Sequence, residues 1–243
     1  MSYDPTYSHE VAVIIQDGLR RMFTEQEDVF YYLTLMNENY SHPGMPEGRE
    51  EEVAEGIRRG LYLLAESGLK PKGRGAAPRV QMLGSGTILR EVQAAAALLE
   101  QDFGVAADVW SATSFTELAR DGIDADRWNM LHPGQEPRAG WVAQQLAGRP
   151  AGPVVAATDY MRAFAEQIRP QVTGRRYRVL GTDGFGRSDY RVALRRHFEV
   201  DRHYIVLAAL TEVAAEGGVP VTAVGDAIAR YGIDADKPNP AQV

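Results

Sequence analysis

The stretch VQMLGSGTILREVQAAAALLEQDF, residues 80–103, joins a strand signal to a helix signal through a glycine turn. Its first residues are of the apolar kind that fills a buried strand, and GSG permits a tight turn. From Thr87 onward, apolar residues recur every three to four positions, the period of an amphipathic helix. They are Ile88, Val92, Ala96, Leu99 and Phe103. The stretch therefore predicts one strand–turn–helix unit.

The same unit recurs further along the chain. Strands are predicted at 107–114, 152–159 and 177–183. Gly122 is expected to end the helix after the first of these, because glycine is favoured just past a helix end. Strands that alternate with helices predict an α/β domain with a mostly parallel sheet covered on both faces. The helices are expected at 115–122, 160–169, 190–198, 204–217 and 222–232.

The first 78 residues lack this alternation. Residues 9–23 predict an amphipathic helix capped by Ser8, and its apolar stripe is expected to pack on a sheet. The aromatic and aliphatic run 29–36 predicts a largely buried strand. Residues 66–78 are rich in Gly, Pro and basic side chains and predict a solvated linker. The helix stripe is Val11, Ile15, Leu19 and Met22, and the basic run of solvated surface is Lys70, Lys72, Arg74 and Arg79.

Composition excludes several functions. The chain has 243 residues, 44% of them hydrophobic, which is enough to bury a core. Its net charge of −7 argues against a general nucleic-acid or anionic-membrane surface. It has no cysteine, so disulfides, thiolate metal sites and cysteine nucleophiles are excluded. The amino terminus lacks a signal-peptide pattern, and no stretch has the roughly 20 apolar residues that cross a bilayer. We expect a cytoplasmic protein.

Two glycine-rich loops could in principle bind phosphate. GSGTIL, residues 84–89, begins like a dinucleotide fingerprint, but Leu89 stands where that motif needs glycine or alanine. A tight turn with Thr87 near the helix start is the favoured interpretation. GTDGFGRSD, residues 181–189, lacks the Lys-Ser or Lys-Thr pair of a phosphate-binding loop, and its aspartates would repel a phosphate. We interpret it as a strand-to-helix turn.

Two further motifs begin like metal sites. HEVAV starts as a zinc-protease helix does, but Val13 stands where the second histidine is required. GIDAD occurs at 122–126 and at 232–236 after predicted helices, so we interpret both copies as glycine-terminated turns rather than calcium loops. The remaining histidines have no ligand spacing and are interpreted as surface or capping residues: His42, His132, His197 and His203.

No local pattern predicts an active site. Ser188 lies in GRSDY, where Tyr190 takes the place of the second glycine of a nucleophile elbow. Asp124 and Asp126 lie on predicted turns, without the burial that tunes an acid–base pair. We therefore assign no catalytic, cofactor-binding or metal-binding residue.

Several stretches, taken in order, resemble one enzyme family. The chain is similar, over essentially its whole length, to the carboxy-terminal part of the homodimeric bacterial pyruvate dehydrogenase, the decarboxylating first component of the pyruvate dehydrogenase complex. The stretches are YYLTLMNENYSHPGMPEG, EGIRRGLYLL, VQMLGSGTILREV, SATSFTELARDG, RWNMLHP, ATDYMRAFAEQIR, YRVLGTDGFGRSD, LRRHFEVD and AIARYGIDADKPNP.

The resemblance implies a transketolase-like architecture. Residues 1–65 would be the end of a pyrimidine-binding domain, 66–78 a linker, and 79–243 the complete carboxy-terminal domain. It also implies an enzyme that uses thiamine diphosphate and magnesium to convert pyruvate to CO2 and an acetyl group, which passes to the lipoyl arm of the acetyltransferase component. The family's Gly-Asp-Gly and paired-asparagine motif does not occur here, and its activating glutamate belongs upstream. We expect no cofactor to be bound by this chain alone.

The resemblance implies protein partners as well. They are the upstream domains, a second copy in a homodimer, and the lipoyl-bearing acetyltransferase component, with no nucleic acid and no membrane. Residues 1–65, taken from a larger sheet, should expose apolar faces and a strand edge, so association or local disorder is expected. Two alternatives stay open: a non-catalytic assembly or regulatory module derived from the enzyme, and another transketolase-like enzyme.

Overall fold

The strands of the protein are short, and most follow apolar runs of the sequence. The computed structural model describes residues 1–70 and 76–243, so Lys72 and Arg74 of the predicted linker lie outside the described residues. The strands are β1 (Ser2–Tyr3), β2 (Tyr32–Leu33), β3 (Tyr62–Ala65), β4 (Arg79–Gly84), β5 (Ala106–Ser111), β6 (Val154–Ala157) and β7 (Tyr177–Leu180).

The helices occupy most of the segments between the strands. None of the helices in the described ranges is long and apolar enough to span a membrane. They are α1 (Ser8–Leu19), α2 (Glu50–Arg59), α3 (Ile88–Leu98), α4 (Phe115–Leu131), α5 (Trp141–Ala147), α6 (Arg162–Glu166), α7 (Arg191–His197), α8 (Arg202–Ala215) and α9 (Thr222–Arg230).

The main sheet has five strands in the order β3-β5-β4-β6-β7. The four strands β4 to β7 are parallel, and β3 pairs antiparallel with β5 at one edge. The predicted α/β fold with a mostly parallel sheet is therefore confirmed. Strand β3 precedes the predicted linker in sequence but belongs to this sheet, and the division into domains at 66–78 stays a prediction.

Helices cover both faces of the main sheet. Helices α3, α8 and α9 enclose one core with side chains of β4, and α4, α5 and α6 enclose a second core on the opposite face. Four members of the apolar stripe predicted for residues 88–103 are buried, and Phe103 packs against the same core. In the interior, the indole N–H of Trp110 donates to Oε1 of Gln81 at 2.8 Å. The ring of this tryptophan is thus buried, and its N–H has a hydrogen-bond acceptor within the sheet.

One predicted helix end is wrong. Helix α4 does not stop at Gly122 but continues to Leu131, so the first GIDAD copy lies inside a helix, and Asp124 and Asp126 are exposed helical residues rather than turn residues. Gly122 serves packing, because a Cβ there would lie 2.7 Å from Cγ of Gln171. The second GIDAD copy does follow a helix, with Gly232 at a φ of +56°.

The amino-terminal region differs from its prediction in two ways. Tyr7, not Ser8, precedes the first turn of α1, and its N–H donates to the Glu10 carboxylate at 2.9 Å. The predicted apolar stripe of this helix is also wrong: the buried face contains Val13 and Ile14, which pack in a cluster with α2. Ile15 of the stripe points to solvent. The reason is that the face with Val13 and Ile14 packs against α2 and against Tyr62 of β3.

Candidate functional surface

The carboxyl edge of the parallel strands is where doubly wound sheets bind ligands, at the point where the strand order reverses. Here that point lies between β4 and β6. Ser85 follows β4 and Thr158 follows β6; both are buried, and the Ser85 hydroxyl donates to Oγ1 of Thr158 at 3.0 Å. The hydroxyl groups that follow the two strands are therefore hydrogen-bonded to each other and are not free to bind a ligand.

The amino-terminal segment covers this edge. The backbone N–H of Asp4 donates to the Thr113 carbonyl at 2.7 Å, and its carbonyl accepts from Gly86 N–H at 3.0 Å. The Thr6 hydroxyl donates to the Gly86 carbonyl at 2.6 Å. Gly86, with a φ of +50°, belongs to the predicted tight turn before α3. Its backbone N–H, which a dinucleotide fingerprint would present to a phosphate, is bound to protein.

Glu10 ties the same segment to the main sheet. Its side chain is fully buried, and it accepts hydrogen bonds from the hydroxyls of Tyr62 on β3 at 2.7 Å and Ser111 on β5 at 2.6 Å. Burial and the neighbouring Glu10 charge raise the pKa of Tyr62. Because both carboxylate oxygens of Glu10 are occupied by protein donors, this group acts as a structural anchor.

An ion-pair network fixes the loop that contains NENY. Glu38 accepts from Arg90 at 2.7 Å and from Arg195 at 2.6 Å. Arg195 also lies 3.4 Å from Glu91, which accepts from Arg202 at 2.9 Å. Burial opposes ionisation of Glu91, but the Arg202 and Arg195 charges prevail and lower its pKa. The network links this loop to helices α3, α7 and α8.

A cleft of about 470 Å³ opens beside this network, at the carboxyl ends of β6 and β7. It is lined by Met36, Asp159, Arg191 and glycines of the 181–189 stretch. Burial raises the pKa of Asp159. The cleft combines a carboxyl group with guanidinium groups, an arrangement suited to holding charges in place rather than to nucleophilic attack.

The stretch 181–189 connects β7 to α7, so its interpretation as a strand-to-helix turn is confirmed. Asp183 accepts from Arg162 Nε at 2.9 Å. A Cβ at Gly184 would lie 2.2 Å from the Pro240 carbonyl oxygen, so this glycine admits the carboxy-terminal segment of the chain. Asp183 and Gly184 are therefore both engaged in contacts within the chain.

The other candidate residues of the sequence analysis do not form a site together. Ser188 is exposed; it lines a cleft together with His197, and the structure gives no hydrogen bond between them. His42 accepts the N–H of Ser8 at 3.1 Å, and Nδ1 of His132 lies 2.8 Å from the Trp128 carbonyl oxygen. Within residues 1–70 and 76–243, no three His, Asp or Glu side chains group as metal ligands.

An exposed apolar surface covers much of the first 36 residues. We define the amino-terminal apolar surface as Ile15, Leu19, Phe23, Phe30, Tyr32, Leu35 and Met36. Phe23 is 70% exposed and Phe30 is 75% exposed, so the prediction of a largely buried strand at 29–36 is wrong, and β2 contains two residues. Contiguous exposed apolar surface of this kind marks a protein interface. The expectation that residues 1–65 expose apolar faces agrees with this surface.

Two known families match the chain. The family described as "Transketolase-like TK C-terminal domain" matches residues 60–201. The family described as "Pyruvate dehydrogenase E1 component middle domain" matches residues 1–43, the part that carries the amino-terminal apolar surface.

Bacterial relatives are similar along the whole chain. The chain is 57% identical over 239 residues, 98% of its length, to the pyruvate dehydrogenase E1 component of Pseudomonas aeruginosa. It is 56% identical over 246 aligned residues, 100% of its length, to that of Cupriavidus necator. The match covers 26% of either relative, so the chain spans about a quarter of their length.

A solved structure has the same fold. The transketolase of Pichia stipitis, in complex with sedoheptulose 7-phosphate, superposes with a TM-score of 0.55 at 18% sequence identity. The match covers 89% of this chain and 25% of that chain. At this identity the likeness is one of fold.

Proposed function

The chain belongs to the family of transketolase-like C-terminal domains, and from this premise we propose that it supplies the carboxy-terminal part of a pyruvate dehydrogenase E1 component. The complete enzyme would decarboxylate pyruvate and pass the acetyl group to the lipoyl arm of an acetyltransferase component in the cytoplasm. The observation that carries the proposal is the 57% identity over 98% of the chain. The role of this part is non-catalytic: it supports the enzyme and contributes contacts to a homodimer.

The described residues do not fit thiamine diphosphate and magnesium, which the family implies. The sheet crevice that could receive a phosphate is covered by Asp4 and Thr6, whose polar groups bind Gly86. Two buried carboxylates, Glu91 and Glu10, hold arginines or hydroxyls of the protein. Binding of the cofactor is therefore assigned to upstream parts of the enzyme, and this chain contributes no step of the chemistry.

The amino-terminal apolar surface supports the same proposal. It lies within residues 1–43, which match the family described as the middle domain of the pyruvate dehydrogenase E1 component, and the resemblance implies that the rest of that domain lies upstream. In the complete enzyme, upstream residues would cover Phe23 and Phe30 and remove their apolar area from water. The surface is thus the expected boundary between this chain and the rest of the enzyme.

Reconstitution tests the proposal. The chain is fused to the upstream portion of the Pseudomonas aeruginosa relative, and CO2 release from pyruvate is measured with and without thiamine diphosphate. The expected result is cofactor-dependent decarboxylation, with the native relative as positive control and the upstream portion alone as negative control. A folded fusion that accepts sugar phosphates instead of pyruvate would favour another transketolase-like enzyme.

Calorimetry separates the role of this chain from that of the complete enzyme. The purified chain is titrated with thiamine diphosphate in the presence of magnesium, and no saturable binding is expected. Saturation near one site per chain or per dimer would contradict the non-catalytic role, even if the fusion were active.

A second candidate is a free-standing assembly or regulatory module. The filled crevice, in which Ser85 and Thr158 bind each other, favours it because a module without cofactor chemistry needs no open site. Comigration of the chain with a purified component of the complex in size-exclusion chromatography tests this function. Failure to associate with every component would remove it.

A further inference from the structure

A group of arginines surrounds β7, the edge strand of the main sheet. A cleft of about 460 Å³ runs along this strand and is lined by five arginines and two glutamates. The arginines are Arg162, Arg169, Arg175, Arg176 and Arg178, and we call this surface the arginine cleft. The chain as a whole has a net charge of −7, so a local excess of positive charge departs from its average surface.

Two of these arginines are held in place by one buried carboxylate. Glu212 on α8 is buried, and it accepts from Nε of Arg176 and from Nε of Arg178, at 2.5 Å in both cases. Burial opposes the charge on Glu212, but the two guanidinium groups prevail and lower its pKa. One carboxylate neutralises one of two positive charges. Both guanidinium groups are about half exposed, so a fixed positive charge faces solvent.

The opposite side of the strand carries Arg169. It is paired with Glu166, and its Nη1 donates to the Tyr177 carbonyl at 2.9 Å, on the side of β7 that faces away from β6. Tyr177 and Val179 are buried, and Arg169 occupies the Tyr177 carbonyl, a backbone group that an added strand would use.

We propose that the arginine cleft binds an acidic segment of a partner protein. Guanidinium groups bind carboxylates through pairs of charge-assisted hydrogen bonds, and Arg176 and Arg178 are already oriented by Glu212. Nucleic acid is disfavoured by the net negative charge of the chain. This surface is independent of the amino-terminal apolar surface and of the proposed enzyme reaction.

The probe for this surface is a fluorescent peptide of alternating glutamate and serine, with the glutamine–serine peptide as control. Binding to the complete chain is followed by fluorescence anisotropy at low and high salt. We expect the glutamate peptide to bind, the glutamine peptide not to bind, and affinity to fall as salt screens the charges. Absence of binding at low salt, or tighter binding of a single-stranded oligonucleotide, overturns the proposal.

Variants locate the binding site. Arg176→Gln and Arg178→Gln are combined with Glu212→Gln, so that no buried carboxylate is left unpaired, and affinity should fall about tenfold. A second pair, Arg162→Gln with Arg169→Gln, should also weaken binding. Arg230→Gln, at a half-exposed arginine of α9 that is paired with Asp102, is the matched control and should change nothing. Equal affinity in all variants, with folding verified by circular dichroism, would contradict the assignment.

Discussion

The main sheet and the amino-terminal apolar surface differ in the exposure of their aromatic side chains. Trp110 at the centre of the sheet is fully buried and hydrogen-bonded to Gln81, whereas Phe30 is 75% exposed. The sheet encloses its apolar surface between its own helices. The amino-terminal apolar surface needs further polypeptide to cover it, in agreement with a chain that spans about a quarter of its relatives. The difference separates residues that are enclosed by this fold from residues that it leaves exposed.

The largest expected effect concerns the main sheet, whose apolar side chains are enclosed by its own helices. Trp110→Ala should lower the free energy of unfolding by about 3–5 kcal/mol, because it opens a cavity and leaves the Gln81 oxygen without its donor. Urea denaturation followed by circular dichroism measures the change. Phe30→Ala is the control, since removal of a mostly exposed ring opens no cavity. Equal losses in the two variants would contradict the contrast between the regions.

A smaller effect on stability is expected from the ion pairs that join the loop containing NENY to helices α3, α7 and α8. The pKa of folded Glu91 lies below its ordinary value of 4.5, so its ionised form stabilises the fold at higher pH. This contribution is present above about pH 4.5 and is lost as the pH falls through the folded pKa. Glu91→Gln should cost about 1–3 kcal/mol at pH 7, and the difference from the wild type should shrink in acid.

Urea denaturation of both proteins between pH 7 and pH 3 measures this difference. A gap between wild type and Glu91→Gln that stays constant with pH would mean that Glu91 stabilises the fold by packing alone.

The smallest effect on stability is expected at the amino-terminal apolar surface. Phe23→Ser combined with Phe30→Ser should change the free energy of unfolding by no more than about 0.5 kcal/mol, because neither ring is buried. The same variant should reduce self-association of the chain in analytical ultracentrifugation, since apolar area drives it. A large loss of stability with unchanged association would contradict this prediction, because it would mean that both rings are packed in the core.

The main sheet and its helices could be predicted because the sequence patterns that specify them are local. The period of residues 88–103 and the turn at Gly86 specify their structure without reference to distant residues, and the alternation of strands and helices then gives the layer architecture. Gly122 misled because its role is a close contact with Gln171, which is distant in sequence. A glycine required for packing carries the same letter as one that ends a helix.

The surfaces were harder to predict. The sequence indicated Ile15 and Leu19 in the packed stripe of α1, but both are exposed, because the period of a helix does not tell which of its faces meets the rest of the chain. The arginine cleft escaped prediction because Arg162 and Glu212 are far apart in sequence and line one cleft only in the folded chain. The filled crevice depends on hydrogen bonds from Asp4 and Thr6, which no local pattern reveals.

The anchor at Glu10 also sets an order of events in folding. Its partner Ser111 lies 101 residues further along the chain, so the first helix is synthesised early but cannot complete its contacts until β5 has emerged from the ribosome. At about 5–20 residues per second, that delay amounts to roughly 5–20 seconds. During this interval the apolar side chains of α1 are available to chaperones, and the contacts of Glu10 with the main sheet wait for residues that are synthesised later.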